Sequence, residues 1–157
     1  MKYIFTISLA FIFLGCANAQ PSFYSTSNKK AIKLFETALK APDVERSEGS
    51  MEPNFQAGIN YLEKALEKDP NFVEAHLLMA EFQEKLLKYD DAIVHYKKAI
   101  EINPNHSRTG STFFYLANLQ HATEDYDAAI RNFDIYLNNR AANPDLQQVA
   151  MKIRANA

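Results

Sequence analysis

Displaced by 34 positions, the chain falls back onto itself. Phe55, Gly58, Ile59, Leu62, Ala65, Leu66, Glu67, Pro70 and Asn71 land on Tyr89, Ala92, Ile93, Tyr96, Ala99, Ile100, Glu101, Pro104 and Asn105. A displacement of 37 carries the pattern forward again. Leu78, Met79, Ala80, Gln83, Tyr89, Asp90, Ala92, Ile93 and Tyr96 then meet Tyr115, Leu116, Ala117, Gln120, Tyr126, Asp127, Ala129, Ile130 and Phe133. A period of this length belongs to a supersecondary unit stacked on copies of itself, because one such unit is too small to bury its own apolar face. The 157 residues have room for about three units and one modest domain.

Within each unit the apolar spacing is helical. Ile32, Leu34, Phe35, Ala38 and Leu39 recur at intervals of three and four from Asn28, and Pro42 is expected to end that helix. Residues 43–54 are polar, contain Gly49 and Pro53, and read as a loop. Helices are predicted over 55–68, 73–87, 91–102, 112–122 and 126–138, with turns at Asp69-Pro70-Asn71 and Asn103-Pro104-Asn105 and a polar connector over 106–111. A last helix from Pro144 would put Leu146, Val149, Ala150 and Ile153 on one face. No stretch of useful length alternates with the period of a strand, so the fold class is all-α.

Residues 73–105 carry the repeat best, and they resemble the tetratricopeptide repeat family. Met79-Ala80 stand where that family has Leu-Gly, Ala92, Tyr96 and Ala99 hold its small, aromatic and small positions, and Pro104 closes the unit. The resemblance covers roughly residues 28–140 and implies a right-handed α-solenoid of about three helical hairpins, capped by a helix within 141–157. The departures are specific. His76 replaces the family's early Trp and Gln83 its later Tyr. The first unit has a loop about eight residues longer than usual between Ala38 and Phe55. The third unit lacks the closing Pro at Ala141, and Tyr136 takes a small-residue position, so that unit is expected to pack loosely or against the last helix.

The family lines a concave groove with the first helix of each hairpin. Carried over position by position, the groove would show Ile32, Phe35 and Leu39 from the first unit. The second would add Glu74, Leu77, Glu81, Glu84 and Lys85, and the third Ser111, Phe114, Asn118 and His121. Of these, Phe35, Leu39, Leu77, Glu81, Glu84, Phe114, Asn118 and His121 are the candidate partner-binding residues. Phe35, Leu77 and Phe114 serve equally well as packing between hairpins. Members that grip a C-terminal carboxylate do so with Lys, Asn and Arg, and Leu77 and Glu81 stand where such a clamp needs polar or basic groups. Asn118 alone is suited to bond a peptide backbone.

The first nineteen residues stand apart. Lys2 precedes an apolar run from Tyr3 to Leu14, too short to span a bilayer and suited to the core of a secretory signal. Ala17-Asn18-Ala19 offers a small-x-small cleavage site before Gln20. Cys16, the chain's single cysteine, follows Phe13-Leu14-Gly15 and resembles a bacterial lipoprotein site, with Phe13 where Leu is usual. Plain cleavage and lipidation at Cys16 both stand. Either way no intramolecular disulfide is available. Residues 20–27 read as a polar tether, and the abrupt end after Ile153 suits a chain cut from a longer parent.

Seventeen basic and nineteen acidic residues are scattered along the chain without a basic stripe, which argues against nucleic acid as a partner. The four histidines, His76, His95, His106 and His121, form no HExxH, and no two lie three or four apart on a helix. Asp90-Asp91 and Glu124-Asp125 fall where acids cap helices. No glycine-rich phosphate loop is present. No cofactor, metal or catalytic residue is therefore expected, and a protein or peptide is the expected partner. The signal together with 72–104, Arg108-Thr109-Gly110 and Phe114-Tyr115-Leu116-Ala117 resembles the N-terminal part of Bacteroidota-type envelope proteins with a β-propeller and an OmpA-like domain, some of which serve secretion. That resemblance implies an exported scaffold, in the periplasm or on the outer membrane facing it. Its rivals are a peptide-presenting accessory subunit of an envelope enzyme and, against the lack of a nucleophile–base pair, a small helical hydrolase.

Overall fold

The structure, a computed structural model, describes residues 23–46, 48–139 and 143–155. The expected signal segment, Cys16 and Ala141 lie outside the described residues. Among the described residues there are eight helices and no strand: α1 Lys29–Ala38, α2 Ala41–Val44, α3 Phe55–Lys68, α4 Val73–Lys85, α5 Tyr89–Ile102, α6 Thr109–Ala122, α7 Tyr126–Leu137 and α8 Pro144–Arg154. Three antiparallel hairpins, α1–α3, α4–α5 and α6–α7, stack in chain order, and α8 closes the stack against α7. The architecture is the all-α solenoid that the repeat implies.

Three apolar clusters hold the stack together, and each draws on three helices. Phe35, Leu62 and Leu78 represent α1, α3 and α4 in the first. Leu77, Tyr96 and Leu116 join α4, α5 and α6 in the second. Phe114, Phe133 and Ala150 join α6, α7 and α8 in the third. Each inner first helix thus belongs to two clusters. In α4, Ala75, Leu78, Met79 and Phe82 face backwards and Val73, Leu77 and Ala80 face forwards. A helix with two apolar sides lacks a single stripe, which is why α4 is buried all round while α1 has the usual one-sided pattern.

The repeat-matched small residues do one job. Ala65 and Ala99 are both shut away where second helices cross their neighbours, as are Ala92 and Ala129. Tyr136 breaks that rule and is still only 1% exposed. Its ring packs 5.3 Å from that of Phe114, and its hydroxyl donates to the carbonyl of Asn143 at 3.2 Å. The room it needs comes from α8, which presents Ala150 to the same cluster.

Several helix boundaries differ from expectation. Pro42 does not end α1, whose C-cap is Leu39; it sits in the first turn of α2, where its missing N–H costs nothing. The 106–111 connector is shorter than expected, because α6 begins at Thr109 and takes in Gly110. Thr109 Oγ1 donates back to Asn103 O, and Thr112 Oγ1 to Arg108 O. Helix α4 stops at Lys85, and Leu87 takes a left-handed conformation with φ of 59°. At the other end, α5 starts two residues early, so Asp90 and Asp91 lie inside its first turn. Asp125 does cap α7, accepting from Ala128 N, while Glu124 is left-handed with φ of 63°.

Candidate protein-binding face

The first helices α1, α4 and α6 carry the expected groove positions, and packing sorts those positions into two kinds. Phe35, Leu77 and Phe114 are buried. The Phe35 ring lies 5.0 Å from that of Phe72 and tilted to it, Leu77 lies in the middle cluster, and Phe114 contacts Phe133 and Tyr136. These three hold hairpins together. Leu39 is exposed, at 48%. Glu81, Glu84, Asn118 and His121 are half-covered and Lys85 is exposed, so a polar strip runs across the ends of α4 and α6.

Four residues of the strip are oriented by a neighbour. Glu81 pairs with the Arg108 guanidinium. Glu84 accepts from the Tyr96 hydroxyl at 3.4 Å. Burial, with Glu84 and Glu81 nearby, pushes the Tyr96 phenol well above its usual range, so it remains a donor. Asn118 Nδ2 donates to Phe114 O at 2.9 Å. The His121 ring meets Tyr126 edge-on at 5.4 Å.

A second arrangement was not legible in the sequence. Within the expected 20–27 tether, Tyr24, Ser25 and Thr26 are tied to α1 and α4. Tyr24 lies edge-on to Phe35 and Phe72, and Thr26 is buried. Ser25 donates its N–H to both oxygens of Glu74, at 3.1 and 3.2 Å, and its hydroxyl to Oε2 at 2.6 Å. The same hydroxyl accepts from Val73 N at 2.9 Å, which satisfies a donor at the start of α4 that no side chain of the helix itself caps. His106 Nδ1 lies 3.3 Å from Arg108 N and accepts from it, so Nε2 carries the hydrogen given to Glu74 at 3.2 Å. Glu74 therefore ties the N-terminal segment to the α5–α6 connector. Beside it opens a cavity of about 340 Å³ walled by Phe23, Phe35, Leu39 and Arg108. Phe23 stands at its edge almost fully exposed, at 92%.

The structure also joins two histidines that are nineteen residues apart. His76 on α4 and His95 on α5 approach to 2.9 Å between their Nδ1 atoms. Sequence reasoning missed the pair because it looked for ligand spacing within one helix. In the third unit the equivalents are Phe113 and Asn132, and Asn132 Nδ2 donates to Gln120 Oε1. His95 is turned towards His76 instead, and Gln83 Oε1, the equivalent of Gln120 Oε1, is buried with no hydrogen-bond partner. Among the described residues no group of three or more His, Cys, Asp or Glu is placed to hold a metal ion, and no helix is long and apolar enough to cross a membrane.

Comparison with known proteins agrees with this geometry. Residues 73–106 match the tetratricopeptide repeat family model, so the chain carries that repeat in its second hairpin. A TPR repeat-containing protein of Methanocaldococcus jannaschii is 33% identical over 88 residues, covering 50% of this chain and 28% of that protein. The chain thus spans well under a third of the length of that relative. Among solved structures, the first TPR of Spaghetti (RPAP3) bound to the HSP90 peptide SRMEEVD superimposes with a TM-score of 0.66 at 17% identity, covering 83% of this chain and 98% of that one. The TPR2B domain of yeast Sti1 in complex with Hsp70 gives 0.61 at 19% identity, covering 80% and 99%. The type III secretion translocator chaperone SycD of Yersinia enterocolitica gives 0.56 at 11% identity, covering 80% and 86%. At these identities the likeness establishes the fold.

Proposed function

We propose that this tetratricopeptide-repeat domain is an exported, non-enzymatic scaffold that binds a protein or peptide across α1, α4 and α6, on the periplasmic side of the cell envelope. The observation that supports it most directly is the strip of Glu81, Glu84, Lys85, Asn118 and His121. Helix α4 is otherwise enclosed, so Glu81, Glu84 and Lys85 are what it leaves open to a partner, beside Asn118 and His121 of α6. Tetratricopeptide domains of the same fold hold HSP90 and Hsp70 peptides, which favours a peptide-like ligand here. The ligand chemistry differs, however. With Leu77 buried and Glu81 paired to Arg108, those two clamp positions offer no cation to a terminal carboxylate, and Glu84 suits basic side chains or backbone N–H donors.

The same proposal includes delivery by the 1–19 signal, anchoring through a lipid on Cys16 or release by cleavage after Ala19, and service to secretion or outer-membrane assembly. The test is capture from an envelope fraction with the parent chain, a Glu84→Lys variant and a Glu101→Gln control. We expect a defined partner on the parent, at least tenfold less on Glu84→Lys and no change on the control. Equal capture by all three sinks the face, and no capture by the parent sinks the scaffold. A peptide ending in Glu-Glu-Val-Asp is expected not to bind. An intact mass of the mature protein separates lipidation from cleavage.

A further inference from the structure

Two groove positions are already taken by the chain itself. Phe35 on α1 and Glu74 on α4 both belong by register to the face a partner would use, and Tyr24 and Ser25 sit on them. The Tyr24 ring lies 5.5 Å from that of Phe35 and 5.9 Å from that of Phe72, edge-on to each. Ser25 gives its N–H and its hydroxyl to the buried Glu74, and the same hydroxyl accepts from Val73 N. A ring on an apolar floor, with a backbone N–H and a hydroxyl on a carboxylate, is the set of contacts a bound peptide makes.

These residues can leave without unwinding a helix. Asn28 caps α1 by accepting from Lys30 N and Ala31 N, and its Nδ2 donates to Lys68 O at the end of α3 at 2.9 Å. Those bonds hold the start of α1 with or without Tyr24 and Ser25. Thr26 is buried and accepts from Asn28 N at 3.0 Å, which makes it the pivot. Ser25 is exposed for all its bonds, and Phe23 meets Tyr24 edge-on at 5.4 Å with 92% of its surface in solvent. Departure bares Phe35 and Phe72 and takes partners from Val73 N and the Glu74 carboxylate. A ligand of the same chemistry restores them.

We propose that Phe35, Phe72, Val73 and Glu74 form a docking site for a partner segment in which an aromatic residue is followed directly by serine or threonine, and that Tyr24 and Ser25 fill it in the free protein as a built-in competitor. This rests on the reading of the groove as a peptide-binding face and names the ligand for its α1 end. Val73 N needs an oxygen acceptor and Glu74 a donor beside it, and one hydroxyl serves both, as alanine cannot and a carboxylate does not. A cavity of about 340 Å³ between Phe23, Leu39 and Arg108 opens next to the site and gives an incoming chain room to enter before Tyr24 swings out. Its covalent tether holds the built-in segment at high effective concentration, so a partner must add contacts further along the groove to displace it.

The test is a labelled synthetic peptide of residues 21–27, Pro-Ser-Phe-Tyr-Ser-Thr-Ser, added to the full chain and followed by fluorescence anisotropy. The double variant Tyr24→Ala, Ser25→Ala empties the site and should bind the peptide at least tenfold more tightly than the parent does. The same peptide with its Tyr replaced by Ala should bind at least tenfold more weakly to that variant. Circular dichroism shows whether the variant keeps its helices. If it does not, the parent decides: excess peptide should speed exchange of the Ser25 amide at least tenfold, with α5 amides unchanged. Equal binding by parent and folded variant, no binding to that variant, equal binding of the two peptides, or an unmoved Ser25 amide where the parent decides overturns the proposal. No envelope partner enters the readout, so failure here leaves the capture experiment at Glu84 to be judged separately.

Discussion

The ring of Phe82 lies over Gly58 so closely that a Cβ on Gly58 would sit 2.3 Å from its Cε2 and 2.8 Å from its Cδ2. Gly58 is the first-unit equivalent of Ala92 and Ala129, both fully buried with a methyl in place. The first hairpin omits the methyl because Phe82 of the second hairpin fills its space, wedged also against Phe55 at 5.4 Å. Gly58→Ala would normally favour a helix, but here the ring must move and Ala38 O stands 3.2 Å behind. We expect a loss of about 1–3 kcal/mol in urea unfolding. Ala92→Gly, the reverse change at the matched site, should cost about 1 kcal/mol from helix propensity alone. A stabilised Gly58→Ala would contradict the packing.

Ala99 and Glu101 lie two residues apart on α5 and differ in kind. Ala99 is buried at the crossing of hairpins, so Ala99→Trp has no space to occupy and should abolish cooperative thermal unfolding. Glu101 is exposed and makes only an i, i+3 pair with Lys98, worth well under about 1 kcal/mol. Glu101→Gln should leave the melting curve unchanged. A parent-like melt for Ala99→Trp would mean that the repeat register is wrong.

Leu87 and Glu124 occupy matched positions after α4 and α6, and both are left-handed without being glycine. Each closes its helix with the same pair of bonds: Lys88 N to Gln83 O and Leu87 N to Glu84 O in one, Asp125 N to Gln120 O and Glu124 N to His121 O in the other. A side chain in this conformation costs about 1–2 kcal/mol, which glycine avoids. Leu87→Gly also removes an exposed apolar group. Both substitutions to glycine should therefore raise the thermal midpoint, Leu87→Gly without loss of helicity by circular dichroism.

The histidine pair predicts a pH dependence. Both folded-state pKa values are lowered, His95 to about 4, while in the unfolded chain each ring titrates near 6.5, as free histidine does. Between those values the unfolded state binds more protons, so stability rises with pH. The pair's contribution is whole above about pH 7 and is lost as pH falls through 6.5. Urea midpoints measured from pH 7.5 to 5 should fall, and His95→Gln should flatten that slope. A parent midpoint that is flat across this range would refute the buried neutral pair.

Glu74 predicts the behaviour of the N-terminal segment. Its carboxylate accepts two hydrogens from Ser25, the N–H shared between both oxygens and the hydroxyl, and His106 Nε2–H besides. Glu74→Gln weakens those charge-assisted bonds, and exchange of the Ser25 amide should accelerate at least tenfold while α5 amides keep their protection. Uniform acceleration across the chain would instead indicate global destabilisation.

Period and spacing determined that this chain is helical and built of stacked repeating units, and the resemblance carried by those repeats implied hairpins with small residues at the crossings. Those features repeat, and a repeat is visible in one dimension. Tertiary structure decided which side chains were left over for a partner. Leu77 and Phe114 occupy groove positions by register, yet they are buried because each inner first helix is packed from both sides. Pro42 and the start of α6 moved because a local breaker can open a helix as well as end one. The Ser25–Glu74 tie, Tyr136 against α8 and the His76–His95 pair arise where residues far apart in sequence meet at an interface without any repeat. A one-dimensional pattern holds no distance between such residues, and only the stacking of the hairpins supplies it.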